Sequence, residues 1–156
     1  MGIADRLTLF LATGFGLGRI PVAPGTFGTL AGLPFVWMAA RLGAWPGASG
    51  LFLVCFILAS VWVADRAERL MNLKDPGCIV IDEMAGYTVA MSLVPATPWT
   101  LAAGFAAFRC FDIIKPAPVR YFEKNFSGGA GVVLDDIMAG VLAGLLLKTV
   151  HLTGVL

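Results

Sequence analysis

Charged side chains are scarce in this chain: 13% of its 156 residues are Asp, Glu, Lys or Arg, against 58% hydrophobic. With a mean hydropathy of +0.86, this lies outside ordinary soluble composition and predicts an integral membrane protein of one domain, residues 1–156. Histidine occurs once, as His151 near the carboxyl terminus, which excludes a histidine-nucleophile phosphatase and a His-Glu-x-x-His zinc helix. The three cysteines, Cys55, Cys78 and Cys110, form neither a Cys-x-x-Cys pair nor a disulfide framework. None is followed six positions later by Arg, so a cysteine phosphate-loop mechanism is excluded as well. No Walker A loop is present. The net charge is +1 and the basic residues form no single run, which leaves no footprint for nucleic acid. The apolar stretch Leu7 to Ala12 is short and is broken by Gly14, Gly16 and Gly18. It is expected to be a retained interfacial helix and not a cleaved leader.

What is abundant is apolar sequence punctuated by glycine and proline. Helices are expected over roughly Phe27 to Ala40, Gly50 to Ala64, Met84 to Val94, Trp99 to Ile114 and Ile137 to Leu156. The fold class is therefore all-α, a compact membrane bundle of four to five apolar helices. About 20 residues are needed to cross about 30 Å of hydrocarbon, so the shorter runs are re-entrant or shallow. Pro95-Ala96-Thr97-Pro98 predicts a tight hairpin between the third and fourth. Nine of the eleven basic residues, Arg6, Arg19, Arg66, Arg69, Lys74, Arg109, Lys115, Arg120 and Lys124, fall on one side of this alternation. Arg41 and Lys148 lie toward the other. The positive-inside tendency then puts the amino terminus and the charged loops in the cytoplasm. Gly28 to Gly32 and Gly140 to Gly144 give small-xxx-small spacings that suit close helix packing, within the chain or between copies in a homo-oligomer.

Two acidic doublets, Asp82-Glu83 and Asp135-Asp136, each open an apolar run and are followed by Ala-Gly. At a helix start they would meet unpaired N–H groups and the positive end of the dipole. Capping is one reading of them. The other is a divalent cation, most plausibly Mg²⁺, held by hard oxygens at a membrane surface to which the topology brings both pairs. Asp112 is flanked at three-residue spacing by Arg109 and Lys115. A helix makes neighbours of each pair, either as an ion-pair ladder or as a further metal carboxylate with cations ready for phosphate. Two loops offer anion cradles or plain turns: residues 14–26, with Arg19 and the Thr26 hydroxyl, and the run Ser127-Gly128-Gly129-Ala130-Gly131, centred on Gly129.

Four blocks in order resemble the phosphatidylglycerophosphatase A family: Gly14 to Gly18 with Pro24 to Thr29, Asp82 to Gly86, Phe108-Arg109 with Asp112 and Lys115-Pro116, and Gly128 to Gly131 leading to Asp135 to Gly140. The match runs from about residue 14 to 146. This resemblance implies a Mg²⁺-dependent lipid phosphatase of the bacterial inner membrane that converts phosphatidylglycerophosphate to phosphatidylglycerol and inorganic phosphate. In that reading Asp82, Glu83, Asp112, Asp135 and Asp136 hold one or two Mg²⁺ ions and form the catalytic centre, facing the cytoplasm. Arg109 and Lys115, with Arg19, Thr26 and Gly129, bind the phosphate. Water, or Asp112 as a covalent nucleophile, attacks phosphorus. A different class, a small cation-translocating membrane protein, would use the same carboxylates. Their expected place at helix ends, away from the midplane, argues against an ion pathway.

Overall fold

The structure, a computed structural model, describes residues 1–154. Those residues form eight α-helices and one 3₁₀ turn: α1 Ile3–Ala12, the turn Leu17–Arg19, α2 Pro24–Ala31, α3 Leu33–Leu42, α4 Ala48–Met71, α5 Ile81–Met91, α6 Pro98–Ile114, α7 Ala117–Asn125 and α8 Gly128–Leu152. The all-α expectation is met, and the helix number is corrected upward from four or five. The run expected from Phe27 to Ala40 breaks at Gly32 between α2 and α3, because Pro34 cannot donate to the preceding turn. A short amphipathic helix, α7, occupies what was expected to be loop, with Val119 buried beneath it. The last helix starts nine residues earlier than expected, at Gly128 instead of Ile137. The final two residues of its expected range lie outside the described residues.

Local chemistry sets the ends. Thr97 caps α6 by accepting the Thr100 N–H at 3.2 Å, with Pro98 in the first turn where a missing N–H costs nothing. Lys115 leaves α6 in the left-handed conformation, φ 48°, and Pro116 prevents continuation. The linker of residues 92–97 closes the α5–α6 hairpin as expected.

α5 is the central element, with nine of its eleven residues buried. Its most extensive partner is α8. The two run side by side in the same direction, with Gly86 against Gly140 and Ala90 against Gly144. A Cβ on Gly140 would strike the Gly86 carbonyl, and one on Gly86 would come within 2.6 Å of the Asp136 carbonyl and of the Phe108 ring. Gly28 and Gly32 meet Val80 and Met84 on another side of the same helix. The small-residue faces are thus filled within the chain. α6 packs antiparallel on this pair through Phe108 and Gly104, while α4 covers the start of α8, where Gly129 abuts the Val61 carbonyl and Asp65. One buried cluster gathers Tyr87, Phe108, Ala139, Ala143 and Leu147, and a second gathers Leu9, Val63, Ala67, Ile81 and Val133.

Two helices, Ala48–Met71 and Gly128–Leu152, are long and apolar enough to cross a membrane. α5, at eleven residues, is too short to do so. Along α4, Leu51, Val54, Leu58 and Trp62 are all more than half exposed and repeat at helical spacing, so the side of α4 away from the core is a continuous apolar stripe.

The backbone contact between α5 and α8 predicts that Gly140→Val destabilises the fold by about 1–3 kcal/mol through overpacking. By contrast, Gly50→Ala, in α4 with nothing within 4 Å of the added carbon, should be neutral or stabilise by up to about 1 kcal/mol. Thermal unfolding of the two variants in one detergent checks this contrast.

Candidate functional site

Each acidic doublet precedes its glycine by four residues, Asp82 before Gly86 and Asp136 before Gly140, so acid and glycine share a helix face. Where the glycines bring the backbones together, the carboxylates one turn earlier must converge. Asp82, Glu83 and Asp136 each place an oxygen within 4.8 Å of the others'. Asp82 and Asp136 are buried and Glu83 is nearly so. Asp82 and Glu83 stand in the first turn of α5 as expected, with Asp82 Oδ1 accepting the Glu83 N–H at 3.0 Å. The second doublet does not open its helix. It lies two turns inside α8, because the glycine run before it is helical, pressed on α4. A dipole at a helix start therefore supports only the first doublet.

The other expected carboxylates stand beside this trio with cations of their own. Asp112 accepts from Arg109 at 2.5 Å and is within hydrogen-bonding reach of Asp136. Arg109 also approaches Glu83 at 3.7 Å. Asp135 Oδ2 accepts from Lys115 Nζ at 2.8 Å. The expected Asp112–Lys115 contact is absent among the described residues, because the left-handed turn at Lys115 swings its ammonium to Asp135 and to Glu123, at 2.9 Å. Sequence reasoning missed Glu123, since the helix that carries it was read as loop.

Of the three remaining candidates, Thr26 stands closest to the trio. It lies half-buried in the first turn of α2, next to Gly25. A Cβ on Gly25 would collide with Glu83 and come within 2.8 Å of the Arg109 guanidinium, so that turn lies directly over the Arg109–Glu83 pair. Gly25 belongs to the loop of residues 14–26 expected to be an anion cradle or a plain turn, and this close approach singles it out within that loop. Gly129 is buried on the α4 side, its N–H donated to Asp65 at 3.4 Å. Arg19 is exposed and lines a groove with α1.

The trio's chemistry fits a hard cation. Among the described residues, Glu83 Oε2, Asp136 Oδ2 and the adjacent Asp135 Oδ1 are buried with no hydrogen-bond partner, an arrangement that is costly unless a positive ligand satisfies it. Burial, then the neighbouring Glu83 and Asp136 charges, push the Asp82 carboxyl well above its ordinary range. Burial likewise raises Glu83. Burial alone would lower the Lys115 ammonium, but its hydrogen bonds to Asp135 and Glu123 outweigh that and hold it above its ordinary value.

A model of the phosphatidylglycerophosphatase A family matches residues 10–151. The chain is similar to phosphatidylglycerophosphatase A of Escherichia coli (strain K12), 41% identical over 138 residues covering 87% of this chain and 79% of that protein. It is 38% identical to the Haemophilus influenzae protein of the same name over 139 residues, 85% and 82% of the two chains. A putative phosphatidylinositol-3-phosphatase of Bacteroides thetaiotaomicron is 38% identical over 148 residues, 90% of this chain and 91% of its own. No solved structure matches the chain.

The raised carboxyls carry a sign. Protonated Asp82 and Glu83 favour the folded state, so without a divalent cation their contribution is greatest below their unfolded values of 3.8 and 4.5. It is lost as pH rises through the folded values. Metal-free protein should therefore unfold at lower temperature at pH 8 than at pH 5, and Mg²⁺ should offset the loss at pH 8. Unfolding with EDTA and with Mg²⁺ at both pH values checks this; a Mg²⁺ effect equal at both would contradict it.

Proposed function

The chain belongs to the phosphatidylglycerophosphatase A family, and from that premise we propose that this phosphatase removes the terminal phosphate of phosphatidylglycerophosphate, releasing phosphatidylglycerol and inorganic phosphate. The observation that carries the reading is the convergence of Asp82, Glu83 and Asp136, from two helices remote in sequence, into one buried oxygen cluster beside Arg109. We place the reaction at the cytoplasmic surface of a bacterial inner membrane, with α4 and α8 as spans. The exposed apolar stripe of α4 supports this, as do Trp45, in the connection between α3 and α4, and Trp99, in the first turn of α6, 70% and 77% exposed at the end remote from the carboxylates, where indole belongs at a lipid boundary.

Asp82, Glu83 and Asp136 would hold Mg²⁺, with Asp112 and Asp135 in support. Bound there, the ion would neutralise phosphate charge and favour attack at phosphorus. Arg109 offers its guanidinium to the phosphate oxygens while Glu83 and Asp112 fix its plane. The first turn of α2 closes over that guanidinium, so the Thr26 hydroxyl and the Gly25 N–H supply further donors. Lys115, held by Asp135 and Glu123, adds positive charge at the rim. Asp112, with its charge shared by Arg109, takes the proton of the attacking water; the bond from phosphorus to the glycerol oxygen breaks, and the proton passes to that oxygen. In this reading water attacks phosphorus directly and no covalent intermediate forms on Asp112.

Asp82→Asn and Asp136→Asn should each lower phosphate release from phosphatidylglycerophosphate by at least about a hundredfold. Both should leave the melting temperature unchanged or raised, since each removes one of several crowded anions. The assay is run with Mg²⁺ and with EDTA, and with phosphatidylinositol 3-phosphate as competing substrate. Near wild-type turnover in either variant contradicts the site, and preference for the inositol lipid contradicts the substrate.

A further inference from the structure

At the carboxylate end of the bundle lies a second concavity that the reaction does not use. The groove between α1 and residues 13–19 encloses about 410 Å³ and is lined by Arg6, Leu9, Phe10, Thr13, Phe15 and Arg19, with Met1 and Gly16 at its edge. Its volume is within the range of small-molecule sites, about 300–1,000 Å³. Residues 6, 9, 10 and 13 follow helical spacing, so one face of α1 forms a wall. The opposite wall is held in an unusual backbone: Gly14, Phe15 and Gly16 are left-handed in succession, at φ 53°, 61° and 94°. For a bulky side chain such as Phe15 that conformation is strained. Its result is to set the Phe15 ring edge-on to Phe10 at 5.5 Å, leaving both rings partly exposed.

The charge of the groove is one-sided. No acid lines it. Neither the Arg6 nor the Arg19 guanidinium has an ion pair or hydrogen bond among the described residues, and the nearby Asp5 is turned away, accepting from Arg66 at 2.8 Å and from the Gly2 N–H at 3.0 Å. Two unpartnered guanidinium groups above an apolar wall match a ligand that is anionic at one end and hydrocarbon beyond. Ile3, Leu7 and Phe10, at helical spacing and 88%, 55% and 49% exposed, extend the apolar surface along α1 and point to a membrane as the source of that ligand. The Val80 N–H donates to the Ala12 carbonyl at 2.9 Å, which ties the groove to the strand of chain just before Asp82 and so to the same bilayer boundary.

We propose that this groove binds one anionic phospholipid, with its phosphodiester between Arg6 and Arg19 and one acyl chain along Leu9, Phe10 and Phe15. The lipid would seat α1 in the anionic leaflet. This site is separate from the hydrolytic one and does not depend on the reaction assigned above.

Native mass spectrometry of the full chain in detergent, with phosphatidylserine and phosphatidylcholine added in turn, tests it with lipids that are neither substrate nor product. Wild type should retain phosphatidylserine at least about tenfold better than phosphatidylcholine. The double variant Arg6→Gln/Arg19→Gln should lose that preference and Phe10→Ser should weaken it, while Arg6→Lys/Arg19→Lys should keep most of it. Arg120→Gln, a change at an exposed arginine of α7, should not alter it. Inorganic phosphate in large excess should leave the lipid bound. Equal retention of both lipids by wild type, undiminished phosphatidylserine in the double Gln variant, or displacement by inorganic phosphate would each overturn the proposal.

Discussion

Gly86 and Gly140 allow the backbones of α5 and α8 to touch, and from that contact the remaining geometry follows. Interaxial distance in a helix pair is set by the side chains between the axes, so removing both leaves the carboxylates one turn earlier nowhere to go but toward each other. Phe108 seals the contact from the α6 side, placing Arg109, the next residue, against Glu83. The Ala-Gly that follows each doublet is therefore part of the site's construction, although it touches no ligand. Small residues at each crossing bring the two backbones into close van der Waals contact.

Crowded carboxylates work against the same packing. Two of the five, Asp112 and Asp135, pair with Arg109 and Lys115, whereas Glu83 Oε2, Asp136 Oδ2 and the second oxygen of Asp135 have no hydrogen-bond partner among the described residues. The fold thus carries an electrostatic deficit confined to one small volume, of the kind tolerated where function requires it. Arg109 is shared between Glu83 and Asp112, so an arriving phosphate competes with carboxylates for a guanidinium already aimed. The proposed cation would relieve this deficit and offset the negative charge that the substrate's phosphate brings.

Much of this was legible in the sequence because burying an acid is costly, and acids at the border of apolar runs therefore stand out. The doublets stand out on that ground, Asp112 with Arg109 and Lys115 through their three-residue spacing, the α5–α6 hairpin through its prolines, and the close packing at Gly140 and Gly144 through their small-residue spacing. What escaped reading depended on tertiary contact. The run Gly128 to Gly131 has loop composition, yet it is helical because α4 fits only a chain without side chains at Gly129. Lys115 sits at the right spacing from Asp112, yet one left-handed residue sends it to Asp135. α7 is too polar to register as a membrane helix and too short to stand out by period, so Glu123 was missed with it. Gly25 carries no local sign that a guanidinium lies over it.

Three carboxylates, Asp82, Glu83 and Asp136, are proposed to share one cation. Diffraction from crystals soaked in Mn²⁺, a stand-in for Mg²⁺ with a strong anomalous signal, tests this most directly. The expected result is an anomalous peak bonded to oxygens of Asp82, Glu83 and Asp136, absent from the Asp136→Asn protein. A peak elsewhere, or one that persists unchanged in that variant, would contradict it.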